Sequence, residues 1–132
     1  MIGLDSNVLV RYVAQDEPRQ AARATRLLES ELTVEMPGFV SLVALAETTW
    51  VLESIYRADR PTLVRVVRGL LSASNIRVQD SEAVALAADD VESKTADFAD
   101  ALVARVARAH GCEHAVTFDR RAARQRGFQA LD

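Results

Sequence analysis

Short apolar runs alternate with longer segments of helical spacing along the whole chain, and this alternation limits the fold more than any other feature. Residues 1–4, 32–36, 76–78, 114–118 and 127–131 read as strands. Residues 20–30 read as a helix that Pro18 can start, and Ser41 can cap a helix running to about Tyr56. Pro61 opens a helix continued by 62–73, and 81–93 are helical. Asp97 can cap a helix through His110 that Gly111 ends, and a short basic helix follows Asp119. Pro37-Gly38 reads as a turn. Strands alternating with helices predict an α/β fold, a central and mostly parallel sheet covered by helices on both faces. Sites in open sheets of this kind form at the carboxyl ends of strands. Asp5 and Asp119 both stand at such ends.

A chain of 132 residues is expected to form one domain, 1–132. It is 49% hydrophobic and 27% charged, which excludes a disordered tail, and no apolar run approaches the ~20 residues of a membrane span. An acid at position 5 argues against a secretory signal, and the lone Cys112 allows no internal disulfide, so a cytoplasmic protein is expected. The net charge of −3 argues against a generally basic nucleic-acid coat. Lys94 is the only lysine; base composition of the gene accounts for this as readily as anion recognition by arginine does.

The acids carry the chemical signal. Asp5 follows what reads as a buried strand, where a carboxylate needs donors or a ligand; a helix cap helped by Ser6 and Asn7 is the plainer explanation. Glu47 is the only charged residue between Met36 and Leu52 and shares a helical face with Val43 and Trp50. On an apolar face it needs pairing or a metal, unless it lies at the domain edge. Asp97 and Asp100 open one helix, off its expected core stripe of Phe98, Leu102, Val106 and Ala109, and capping plus a favourable helix dipole explains them equally well. Asp119 can cap the next helix, with Thr117 on the same side of the strand and able to donate to a neighbouring carboxylate. Gathered together, these acids would repel by ~1 to 4 kcal/mol per close pair, and a hard divalent cation is the natural compensation. Oxygen-only ligands suit Mg²⁺ or Mn²⁺, whereas His110, Cys112 and His114 make a poor zinc set.

Four segments in order resemble the PIN-domain ribonucleases, and most of all the VapC toxins of bacterial toxin–antitoxin pairs. They are Leu4-Asp5-Ser6-Asn7-Val8-Leu9-Val10-Arg11, Ala46-Glu47-Thr48-Thr49-Trp50-Val51-Leu52, Asp97-Phe98-Ala99-Asp100-Ala101-Leu102-Val103-Ala104 and Thr117-Phe118-Asp119. Ser6 stands where that family more often has threonine, which keeps the hydroxyl. The resemblance implies a PIN-like α/β/α sandwich and a Mg²⁺- or Mn²⁺-dependent endoribonuclease. It implies that Asp5, Glu47, Asp100 and Asp119 are the catalytic acids, with Asp5 and Asp100 on the metal and Asp97, Asn7, Ser6 and Thr117 in support. It further implies a homodimer blocked by a small VapB-type antitoxin. Arg11, Arg120 and Arg121, with Arg124 and Arg126 nearby, are candidate RNA contacts, although a solvated basic face is the commoner explanation of such arginines.

Three other readings compete. The chain could be a PIN nuclease in RNA processing outside a toxin–antitoxin pair, or a catalytically silent metal- or peptide-binding module. An aspartyl phosphatase is weaker, because Asp5-Ser6-Asn7 lacks a second aspartate two residues on.

Overall fold

A computed structural model describes residues 1–93 and 96–131. Its elements fall into two compact units, Met1–Gln79 and Asp80–Asp132. All described strand pairings are parallel, three strands in the first unit and two in the second, which gives the mixed α/β class expected.

In the first unit the order is β1 (Ile2–Gly3), α1 (Ser6–Ala14), α2 (Pro18–Arg26), β2 (Gly38–Val40), α3 (Leu42–Ser54), α4 (Arg60–Ser72) and β3 (Ile76–Val78). β2 is the middle strand, with β1 on one side and β3 on the other. The ladder continues past the strands: the Leu4 amide donates to Phe39 O, and the Gln79 amide to Val40 O, each at 2.9 Å. β1 is not the buried strand expected over residues 1–4, because Met1, Ile2 and Gly3 are exposed and only Leu4 is in the core.

The strand expected at 32–36 is absent as well. Thr33 closes a turn there, its hydroxyl accepting the Met36 amide at 3.0 Å and its own amide donating to Met36 O at 3.2 Å. β2 instead begins at Gly38, where the sequence reads as a turn. That glycine serves closeness rather than bending. A Cβ there would stand 2.8 Å from Leu32 Cδ1 and 2.9 Å from Leu4 Cδ1, so any larger residue would make the ends of both leucines shift. The helix expected over 20–30 starts earlier, at Pro18 behind the Glu17 cap, and ends in a π-helical turn over Leu27–Glu31. Asn75 donates to the Leu28 and Leu32 carbonyls at 2.8 and 3.3 Å, holding that turn.

α3 buries the face opposite to the one the sequence suggests. Ala44, Leu45, Thr48, Thr49 and Leu52 point into the core, while Val43 and Trp50 are 78% and 62% exposed. Thr48 and Thr49 are tolerated inside because their hydroxyls donate to the Ala44 and Ala46 carbonyls, at 2.7 and 3.0 Å.

The second unit runs α5 (Ser81–Glu92), α6 (Phe98–Ala109), β4 (Ala115–Thr117), α7 (Arg120–Ala123) and β5 (Phe128–Ala130), with β4 paired to β5. α5 packs on α6 through small residues, Ala83, Ala87, Ala88, Ala101 and Ala104, together with Val84, Val91 and Leu102. The α6 core stripe is shorter than expected: Val106 is half-buried and Ala109 exposed. Asp90 also lies inside, and Arg105 pairs with it bidentately at 2.8 Å for both contacts, the fork that such a carboxylate requires. Gly111 ends α6 with φ of 95°, as the sequence predicts.

Candidate active site

Five acids stand at element starts or on exposed helix faces in the two units. In the first unit, Asp5 is the N-cap of α1, and its Oδ1 accepts the Ser6 amide at 2.7 Å. The buried Ser6 hydroxyl donates to Glu47 Oε1 on α3 and lies 3.5 Å from Asp5 Oδ1. One serine therefore links the two carboxylates. Glu47 itself is exposed, because the face it shares with Val43 and Trp50 faces solvent. Its charge consequently needs no burial partner, and the argument that a buried apolar face forces a metal on it does not hold.

In the second unit, Asp97 caps α6, its Oδ1 accepting the Asp100 amide at 3.1 Å. Asp119 caps α7, its Oδ1 accepting the Arg121 amide at 2.8 Å and the Ala122 amide at 3.3 Å. Thr117 Oγ1 accepts the Asp119 amide at 3.0 Å, so this hydroxyl shapes the loop and donates to no carboxylate among the described residues. Asp100, half-buried in the first turn of α6, accepts a hydrogen bond from Gln125 Nε2 on Oδ2 at 3.1 Å. Burial pushes its carboxyl above the ordinary aspartate range; the charge of Asp97 adds to this, Gln125 opposes it, and Asp119 contributes a smaller push.

Each of the five carboxylates therefore has one oxygen held by a donor. For Asp5, Glu47 and Asp119 the other oxygen accepts no hydrogen bond from a described residue, whereas the carboxyls of Asp97 and Asp100 also lie within hydrogen-bond reach of each other. This donor set, oxygen only and negatively charged, has the chemistry of a Mg²⁺ or Mn²⁺ shell. Within neither unit, among the described residues, do three His, Cys, Asp or Glu side chains gather closely enough to hold a metal by themselves. The zinc alternative gains nothing: His110 Nε2 is 3.1 Å from Asp80 Oδ2, and Cys112 and His114 are exposed.

Asn7 is exposed and lines a groove of about 580 Å³ with Val8, Arg11, Gln20, Arg23 and Leu27. Arg11 is engaged within its own unit. Its Nε donates to Gln20 at 2.7 Å, and its Nη1 reaches the Tyr56 hydroxyl at 3.4 Å and Asp16 at 3.8 Å. Arg120 and Arg121 are exposed and form no ion pair with a described residue. Gln125 is the site residue that sequence reasoning missed, since nothing marks a glutamine beyond a short basic helix.

No helix among the described residues is long and apolar enough to cross a membrane. No curated protein matches the sequence. The family model for the PIN domain matches residues 2–127, nearly the whole chain. PIN domains are generally nucleases that use divalent metals, and this chain belongs to the PIN-domain family.

Proposed function

We propose that this protein is a Mg²⁺- or Mn²⁺-dependent endoribonuclease that acts as the toxin of a toxin–antitoxin pair, with Asp5, Glu47, Asp100 and Asp119 as its catalytic acids. The observation that carries this reading is that Ser6 joins the Asp5 and Glu47 carboxylates and that Gln125 holds Asp100 by Oδ2. Capping alone explains the held oxygens of Asp5, Asp97 and Asp119, but capping does not require Glu47 or Asp100. A bound divalent cation supplies Lewis acidity, makes water nucleophilic near neutral pH and offsets the charge that grows on the phosphate. The protein's part is orientation. Asp5 and Asp100 are the proposed ligands, Ser6 fixes Glu47 against Asp5, and the backbone amides of α7 fix Asp119. Asp97, Asn7 and Thr117 support these acids through the α6 cap, the start of α1 and the loop before α7. Arg120 and Arg121, exposed beside Asp119, are the proposed contacts to RNA phosphates, with Arg11 as a third.

A homodimer and a VapB-type antitoxin belong to the same proposal. The exposed Val43, Trp50 and Ile55 of the α3 region support an interface, whereas α4 buries Leu63 and Leu70. RNA as substrate makes the cytoplasm the proposed compartment. Purified protein incubated with RNA should cleave it to 5′-phosphate and 3′-hydroxyl ends with Mg²⁺ or Mn²⁺ and should fall silent in EDTA. Undiminished cleavage in EDTA overturns the metal reading. No cleavage under any metal condition favours a silent binding module, and the absence of any effect from a cognate antitoxin favours RNA processing.

A further inference from the structure

Gln125 sits in the turn between α7 and β5 and is fixed from both sides by the backbone. Its amide donates to Ala122 O at 2.9 Å, and its carbonyl accepts the Phe128 amide at 3.3 Å. The side chain reaches back from this fixed point, and Nε2 donates to Asp100 Oδ2 at 3.1 Å. Its other polar atom, Oε1, is buried and has no hydrogen-bond partner among the described residues. A buried carbonyl left in this way costs about 1–3 kcal/mol. Turning the amide over offers no relief. Oε1 would then face the Asp100 carboxylate and Nε2 would lose its bond to it. The amide is thus held in an orientation that serves Asp100 and not its own solvation.

We infer that Gln125 is a positioning residue for the cation-binding acids, fixing the Asp100 carboxylate by Oδ2 and leaving Oδ1 to face the ligand. The inference rests on Asp100 being one of those acids. A donor on the far oxygen is what orients a ligating carboxylate, and loss of such a partner typically lowers metal affinity by about 10–100-fold. Gln125 is a neutral donor placed where Asp97 and Asp119 both crowd Asp100 with like charge. A lysine or arginine there would compete with the cation for the same carboxylate, and an amide does not.

The test is Mn²⁺ binding to the full chain by calorimetry, alongside thermal melting. The proteins are wild type, Gln125→Met, Gln125→Asn and Asp100→Asn. Methionine keeps the length, deletes the donor and also removes the buried unpaired carbonyl. Gln125→Met is therefore expected to bind Mn²⁺ about tenfold more weakly while melting no lower than wild type. Asparagine is one methylene too short to keep the bond and should weaken binding similarly, which covers the case in which methionine misfolds. Wild-type affinity in both Gln125 variants, with Asp100→Asn impaired, overturns the inference alone. Loss of affinity that merely follows a loss of melting temperature also overturns it, since packing would then explain the effect. If the wild type binds no Mn²⁺, the cation reading fails and the inference fails with it.

Discussion

Replacing Asp100 by asparagine should make the metal-free protein more stable while removing its activity. The carboxylate is half-buried and meets the charges of Asp97 and Asp119, so its ionised form is disfavoured in the folded state. Like charges 4 Å apart repel by about 1 kcal/mol in water and about 4 kcal/mol at a near-surface dielectric, and partial exposure keeps this pair near the lower figure. Against this gain stands the Gln125 hydrogen bond, which loses its charge assistance and with it about 0.5–1 kcal/mol. The balance is a stabilisation of up to about 0.5 kcal/mol. An unfolding entropy near 2.1 cal/mol/K per residue over 132 residues converts that to a rise in Tm of up to about 2 °C. The assay is thermal melting by circular dichroism in EDTA at low salt, repeated at high salt and again with Mg²⁺. Salt should shrink the difference by screening, and Mg²⁺ should raise the wild type and leave the variant nearly unmoved. A variant that melts below wild type in EDTA at low salt refutes the reasoning.

Asp97 separates from Asp100 by its capping bond. Asp97→Ala should lose about 1 kcal/mol of stability, whereas Asp97→Asn keeps the cap and retains more cleavage than Asp100→Asn, as melting and cleavage rates will show. In the first unit the Tyr56 hydroxyl, donating at 2.7 Å, is the main reason the Asp16 carboxyl lies below its ordinary range. A lowered acid contributes stability that is present above its unfolded pKa and lost as pH falls through the folded one. Tyr56→Phe should therefore flatten the acid limb of a Tm-against-pH curve below about pH 4. Trp50→Glu, at an exposed position, should leave the protein folded and shift the proposed homodimer towards monomer in light scattering.

Much of this architecture was legible because capping and strand–helix alternation are local. Asp97 before Phe98, Gly111 after His110 and Asp119 before Arg120 each mark a boundary that the structure keeps. The errors came where tertiary contacts overrule local signals. Gly38 reads as a turn, yet it is a strand residue chosen for the approach of Leu4 and Leu32, which no local pattern reveals. The orientation of α3 misled for a related reason. It is apolar nearly all round, so periodicity cannot say which face is buried, and two threonines satisfied by their own helix take the inside. The pairing of Asp90 with Arg105 and of Gln125 with Asp100 depends on how helices and turns pack, and neither spacing carries a signal.

The central proposal is that Asp5, Glu47, Asp100 and Asp119 serve a cation-dependent cleavage, and a double-mutant cycle on Asp5 and Asp119 tests it most directly. Single-turnover cleavage of one RNA substrate in Mg²⁺ is measured for wild type, Asp5→Asn, Asp119→Asn and the double variant, with circular dichroism as the folding control. Groups that act as one unit are strongly non-additive, so each single change should remove most of the activity and the double should be no slower than the worse single. Rate losses that multiply in the double variant, or a single variant that cleaves like wild type, would contradict the account.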